Sequence, residues 1–134
     1  MREVRLFQIV VGTVLVIPLV AGTTGAFGGL DGMAALFGEN RDAALAPALR
    51  NHLRAICWMF AAFAPLVVWS LARMKERAGA FRIVIGFAFV AGFARLLGRF
   101  VDGDPGPIAT LFTVLELGLM PVLVGWHARL IRLG

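Results

Sequence analysis

An all-α integral membrane fold, a four-helix bundle with both termini cytoplasmic, is what this sequence predicts, on three observations. Of its 134 residues 60% are hydrophobic and only 16% charged, with a mean hydropathy of +0.86, whereas soluble domains run at about 45–50% apolar and about 25% charged. The apolar residues gather into four runs, each close to the about 20 residues that a bilayer-crossing helix needs. No stretch alternates with period two, and in lipid a helix is the segment that satisfies its own backbone. The chain reads as one domain, residues 1–134, with spans at about 6–27, 50–72, 82–101 and 108–127.

Span one runs from Leu6 to Phe27 with Gln8 and several Gly and Thr residues as its interruptions. Arg2, Arg5 and the run to Ala21 also have the outline of a signal peptide, but the apolar stretch continues through Gly22 to Phe27, past the about 7–15 residues of such a segment. After Gly28, Leu30, Met33, Leu36 and Phe37 fall at helical spacing. A short amphipathic helix is expected there, capped by Asp31, ended by Gly38, and lying on the membrane surface or folded back over the bundle. Asp42 and then Pro47, as a first-turn proline, signal the start of helix two. Span three reaches normal length when continued past Arg95 and Arg99 to Val101. Span four follows the Asp104-Pro105-Gly106-Pro107 turn. Pro18, Pro65 and Pro121 sit inside three spans and release the carbonyls of Val14, Ala61 and Leu117.

Charge sets direction. Arg2, Arg5, Arg73, Lys75, Arg77, Arg82, Arg129 and Arg132 lie on one side, against Glu3 and Glu76. The other side carries Arg41 and Arg50 against Asp31, Glu39, Asp42, Asp102 and Asp104. Lys and Arg near span ends stay cytoplasmic, so both termini are expected inside. The net charge of +5 and pI near 11.3 are thereby accounted for as topology and attraction to anionic lipid, with no nucleic acid partner.

Charges at membrane depth cost about 2.5–3.5 kcal/mol on insertion scales and mark interior or functional faces. Arg95 and Glu116 are two such charges. Both are equally far from the middle of the Asp104–Pro107 turn, which puts them at one depth in an antiparallel hairpin and predicts an ion pair. Ala88, Gly92, Arg95 and Arg99 share one stripe of their helix, and Thr113, Glu116 and Met120 share a face of the next. Arg99 is near enough to the surface to reach Asp102 or Asp104. Span two brings Arg54 and His52 to the same depth region, about 200° apart around the helix, so one of the two faces inward. Arg54 there would make a positive pocket suited to an anionic head group; His52 would make it pH-sensitive. Gly25-x-x-x-Gly29 and Ala88-x-x-x-Gly92 admit close helix contact within or between chains.

The ordered set Phe7-Gln8, Pro18-Leu19 with Gly22 and Gly25, Gly28-Gly29, His52-Leu53-Arg54, Phe81-Arg82, Gly92-Phe93-Ala94-Arg95-Leu96-Leu97, Gly103-Asp104-Pro105 and Leu115-Glu116-Leu117 covers nearly the whole chain. In this it resembles a bacterial family of small inner-membrane proteins, domain-of-unknown-function family 4345. The resemblance implies four membrane helices and a bacterial inner-membrane location, and it implies no activity.

Several functions fail on the residues themselves. Cys57 is the sole cysteine, which excludes a disulfide, a redox CxxC pair and a thiolate cluster. His52 and His127 fall at opposite ends, about 30 Å apart, too far for a bis-histidine haem. No metal cluster, phosphate-binding loop or nucleophile elbow is present, so no cofactor and no catalytic residue is expected. Span one lacks the acidic residue expected of a small multidrug exchanger. Two readings remain: a non-enzymatic accessory or scaffold subunit with a membrane-protein or self partner, and a binder or carrier of a small anionic or lipidic molecule at Arg95, Glu116, Arg54 and His52. The first is preferred, because four short helices leave little volume for a closed pocket.

Overall fold

The structure, a computed structural model, describes residues 2–37 and 47–133. Gly38 as a helix stop, Asp42 as a helix start, and the charges of Glu39 and Arg41 lie outside the described residues. The described residues are helical almost throughout: α1 (Arg2–Val14), α2 (Val16–Phe37), α3 (Pro47–Leu71), α4 (Ala78–Asp102), α5 (Gly106–Val114), a π-turn (Leu115–Leu119) and α6 (Met120–Leu133). Four stretches are long and apolar enough to cross a membrane: Arg2–Phe37, Leu53–Leu71, Ala78–Asp102 and Gly106–Leu133. The all-α, four-span class expected from the sequence is therefore the class observed. The helices overrun the expected apolar spans, because lipid sets only the apolar part of a helix and the polar ends continue it into the headgroup region.

The chain divides into two compact units, one of Gly12–Pro65 and one combining Met1–Val11 with Leu66–Gly134. In the first, α1 ends at Val14, the residue whose carbonyl Pro18 deprives of its donor, and α2 resumes at Val16. Pro65, in contrast, is carried inside an uninterrupted α3. A row of small residues then lets α2 and α3 close on one another in antiparallel register. A Cβ at Gly22 would stand 2.6 Å from the backbone nitrogen of Ala61, and one at Gly25 would collide with the Cys57 thiol. In lipid, where apolar burial drives little, such close backbone approach supplies the dispersion contact that holds helices together.

At Gly29 the helix breaks, with φ 59° and ψ −140°. A residue with a Cβ is strained there, and the space is also taken: the Arg54 guanidinium lies 2.8 Å from where that Cβ would be. The short segment from Leu30 to Phe37 continues in helix after the break and folds back along α2. Gly32 rests over the Thr24 carbonyl and Met33 over Gly25. The segment thus packs against the part of α2 that precedes the break.

In the second unit, Phe81, Val84, Ile85 and Gly92 form the buried stripe of α4, and Met120, Leu123, His127 and Leu130 that of α6. The opposite face of α4 exposes Ile83, Phe87, Val90, Phe93, Leu97 and Phe100, as a lipid-facing helix does. Phe7 of α1 is fully buried and meets the Trp126 ring edge-on at 5.2 Å. Trp126 Nε1 donates to Glu3 Oε1 at 3.3 Å, and Arg129 reaches the same carboxylate oxygen at 3.1 Å, which ties the first turn of α1 to α6.

Gly29→Ala is expected to cost about 1–3 kcal/mol, the scale of forced backbone strain. Gly28→Ala, one residue earlier and with nothing within 4 Å of the added carbon, should be neutral or slightly stabilising. Paired thermal melts of the detergent-solubilised proteins check this, and equal losses at the two positions would contradict it.

Candidate functional site

α4 ends at Asp102 and the chain reverses through Gly103, whose φ of 99° only glycine adopts easily, before α5 starts at Gly106. Asp104 accepts the Gly106 N–H at 3.3 Å, satisfying the first free donor of α5. The antiparallel return brings Arg95 and Glu116 together: Arg95 Nε donates to Glu116 Oε2 at 3.1 Å. The carboxylate side chain is only 8% exposed and the guanidinium side chain 35%. Two features make room for it. Gly92 takes the place a side chain would fill, since a Cβ there would stand 2.6 Å from Glu116 Cβ. The helix also widens to a π-turn over Leu115–Leu119, immediately before Pro121. Proline has no N–H to give Leu117 and its ring crowds that carbonyl, so a wider turn relieves the misfit and re-aims Glu116.

Arg95 is held on a second side by the Phe112 ring, with Cζ 5.9 Å from its centroid, at the edge of cation–π range. Among the described residues its hydrogen bond is the one from Nε; Nη1 and Nη2 make none. One turn nearer the loop, Arg99 Nη1 donates to Thr110 Oγ1 at 3.1 Å and Nη2 lies 3.4 Å from Asp104 Oδ1. Thr110 and Thr113 donate in turn to the carbonyls four residues before them, Gly106 and Ala109. Arg95, Arg99, Thr110 and Thr113 line a groove of about 410 Å³ together with Leu96, Val114, Leu117 and Gly118. That volume is in the range of small-ligand sites.

Arg54 is used differently. Its Nη1 donates to the carbonyls of Ala26 and Phe27 at 3.3 and 3.0 Å. Those are carbonyls whose α-helical donors, four residues on, are displaced by the break at Gly29. Arg54 thus caps a helix C-terminus, where a cation also meets the favourable end of the dipole. His52 belongs to α3, and its side chain is outside the described atoms.

His127 is a residue that sequence reasoning passes over. It is wholly buried, stacked on Phe81 with ring centroids 4.4 Å apart and 5.8 Å from Phe7. Neither ring nitrogen has a hydrogen-bond partner among the described residues. Its signal in the sequence is spacing: it falls in step with Met120, Leu123 and Leu130 on the apolar stripe of α6.

A hairpin of membrane-length helices carrying a charge pair inside the apolar span defines an all-α, multi-pass membrane protein. The family described as Domain of unknown function (DUF4345) matches residues 6–127, and the chain belongs to it. A search of the curated proteins and of the solved structures finds no match to the chain.

Breaking the charge pair singly should destabilise, by less than the about 3–5 kcal/mol of a fully buried pair because Arg95 is partly exposed. Glu116→Leu and Arg95→Met should each lower the melting temperature, and the double variant should recover part of the loss. A double-mutant cycle should give a coupling of about 0.5–3 kcal/mol, and strict additivity would exclude the interaction. His127→Phe keeps the stacked ring and removes two unpartnered polar atoms, each costing about 1–3 kcal/mol. It should melt higher than the wild type.

Proposed function

We propose that this chain is a non-enzymatic protein of the bacterial inner membrane that holds an anionic head group in the α4–α5 groove, with both termini in the cytoplasm. The observation that carries this is the state of Arg95. Glu116 holds its Nε, among the described residues the two terminal nitrogens make no hydrogen bond, and Arg95 lines an open groove. A guanidinium anchored in this way presents its remaining N–H groups in one orientation, the geometry that carboxylate and phosphate oxygens accept. Arg99 brings a second guanidinium to the same groove. The cations of Arg2, Arg5, Arg73, Lys75, Arg77, Arg82, Arg129 and Arg132 support cytoplasmic termini, so the groove opens toward the outer leaflet.

The groove shifts the balance from the scaffold reading, which rests on the lack of room for a pocket. One observation still favours a scaffold: Glu116 packed onto Gly92 fixes the hairpin register whatever the groove holds.

The two readings separate in nanodiscs of phosphatidylglycerol and of phosphatidylcholine. A ligand at a hundred times its Kd adds about 2.7 kcal/mol of stability. The wild type should melt higher in phosphatidylglycerol. Arg95→Gln should remain folded and lose that difference, and Arg132→Gln, at the cytoplasmic end, should keep it. A wild type that melts alike in both lipids, or an Arg95→Gln variant that keeps the difference, leaves the scaffold reading in place.

A further inference from the structure

The two guanidiniums of the groove are held in different ways. Arg95 and Arg99 stand one turn apart on α4, a spacing that sets their Cβ atoms about 5–6 Å apart on one face. Each has one partner that stays in place. For Arg95 it is the buried Glu116 carboxylate; for Arg99 it is Thr110 Oγ1, which accepts from Nη1 at 3.1 Å while its own proton goes to the Gly106 carbonyl at 2.8 Å. Arg99 has a second partner of another kind. Asp104 Oδ1 lies 3.4 Å from Nη2, beyond the about 2.7–2.9 Å of a charge-assisted hydrogen bond, and the Asp104 side chain is 70% exposed. Water receives that carboxylate on a turn of the side chain, and Arg99 keeps its hold on Thr110 when it goes.

Resting on the head-group reading above, we infer that Asp104 is a tethered competitor of the ligand: its carboxylate occupies the Arg99 nitrogen that the incoming oxyanion takes over. The exchange is like for like, since carboxylate and phosphate oxygens accept from a guanidinium in the same geometry. It also sets the charge of the groove. With Asp104 in place, the charges of Arg95, Glu116, Arg99 and Asp104 cancel; with Asp104 turned out, one positive charge is left for the ligand to meet. Binding is then weaker than the two arginines alone would give, by what Asp104 contributes at Nη2. Asp102, the other acid of this turn, is placed differently. Its Oδ2 lies 3.6 Å from where a Cβ on Gly98 would be, and among the described residues it forms no ion pair with Arg99.

The test uses the full chain in phosphatidylcholine nanodiscs with rising fractions of phosphatidylglycerol, and reads the fraction that gives half of the rise in melting temperature. Asp104→Asn removes the competing charge and keeps the Oδ1 that accepts the Gly106 N–H. It should lower that fraction about two- to fivefold, within what an exposed ion pair exerts. Asp104→Ser, whose hydroxyl accepts the same N–H in an ST turn, should do likewise, so the result does not hang on the folding of one variant. Asp102→Asn makes the same change in net charge and should leave the fraction where it is. Glycerophosphoglycerol, the same diester without acyl chains, separates the sources when added to phosphatidylcholine discs. Stabilisation by it, at a lower concentration in Asp104→Asn, assigns the exchange to the bare anion; stabilisation by phosphatidylglycerol alone assigns it to the lipid-borne head. Equal shifts from Asp104→Asn and Asp102→Asn would reduce the effect to loop charge and overturn the competitor, with the head-group reading standing. No shift from either Asp104 variant, while Arg95→Gln still abolishes the response, would do the same. A response that survives Arg95→Gln would overturn the head-group reading and the competitor with it.

Discussion

In hydrocarbon a polar group that finds no partner within the protein finds none at all, and the irregular turns of this chain are built around that constraint. The break at Gly29 strips the end of a helix of its donors, and Arg54 reaches across from α3 to supply them. Ser70, buried in α3, donates to the Val67 carbonyl at 2.7 Å. Thr23, Thr110 and Thr113 do likewise to carbonyls of the preceding turn. Glu116 is the extreme case, because a carboxylate costs far more to bury than a hydroxyl and only a cation offsets it. His127 departs from the pattern, since neither of its buried ring nitrogens has a partner among the described residues.

Close packing is the second requirement, and the same glycines serve both. Gly25 and Gly29 lie against Cys57 and Arg54, and Gly92 lies against Glu116. Three of the four small residues of these motifs, Gly25, Gly29 and Gly92, are thus occupied within the chain. At Gly29 and Gly92 the absent side chain gives its space to a charged one rather than to another helix backbone. The approach that strengthens dispersion contact is also what lets a cap and an ion pair form.

Much of this is legible in the order of the amino acids. Composition and the four apolar runs suffice for the class, and counting residues outward from the Asp104–Pro107 turn sets Arg95 opposite Glu116. That Leu30–Phe37 forms a helical segment set off from the first span is also legible. What escapes is whatever depends on how a single turn departs from ideal geometry. Pro121 is visible, but not that its misfit is absorbed as a π-turn under Glu116. Arg54 is legible as a charge near the membrane and not as a cap, because the carbonyls it serves become free only when Gly29 leaves the helix. The groove is missed because it is a property of facing side chains, which residue counting along separate helices does not register.

On the proposed head-group reading, the electrostatics of the groove bear on what kind of anion it would hold. Arg95 with Glu116, and Arg99 with Asp104, are each neutral as pairs, so net charge alone does not draw a ligand in. The two pairs differ in environment, however. Glu116 is buried and fixed, while Asp104 and Arg99 have side chains 70% and 43% exposed, in the regime where an ion pair is worth about 0–1 kcal/mol. An incoming oxyanion therefore gives up little by displacing Asp104 from Arg99, and it displaces nothing at the terminal nitrogens of Arg95. Selectivity on that reading rests on direction: donors held in place by the buried pair, and a weak exchangeable contact nearer the mouth.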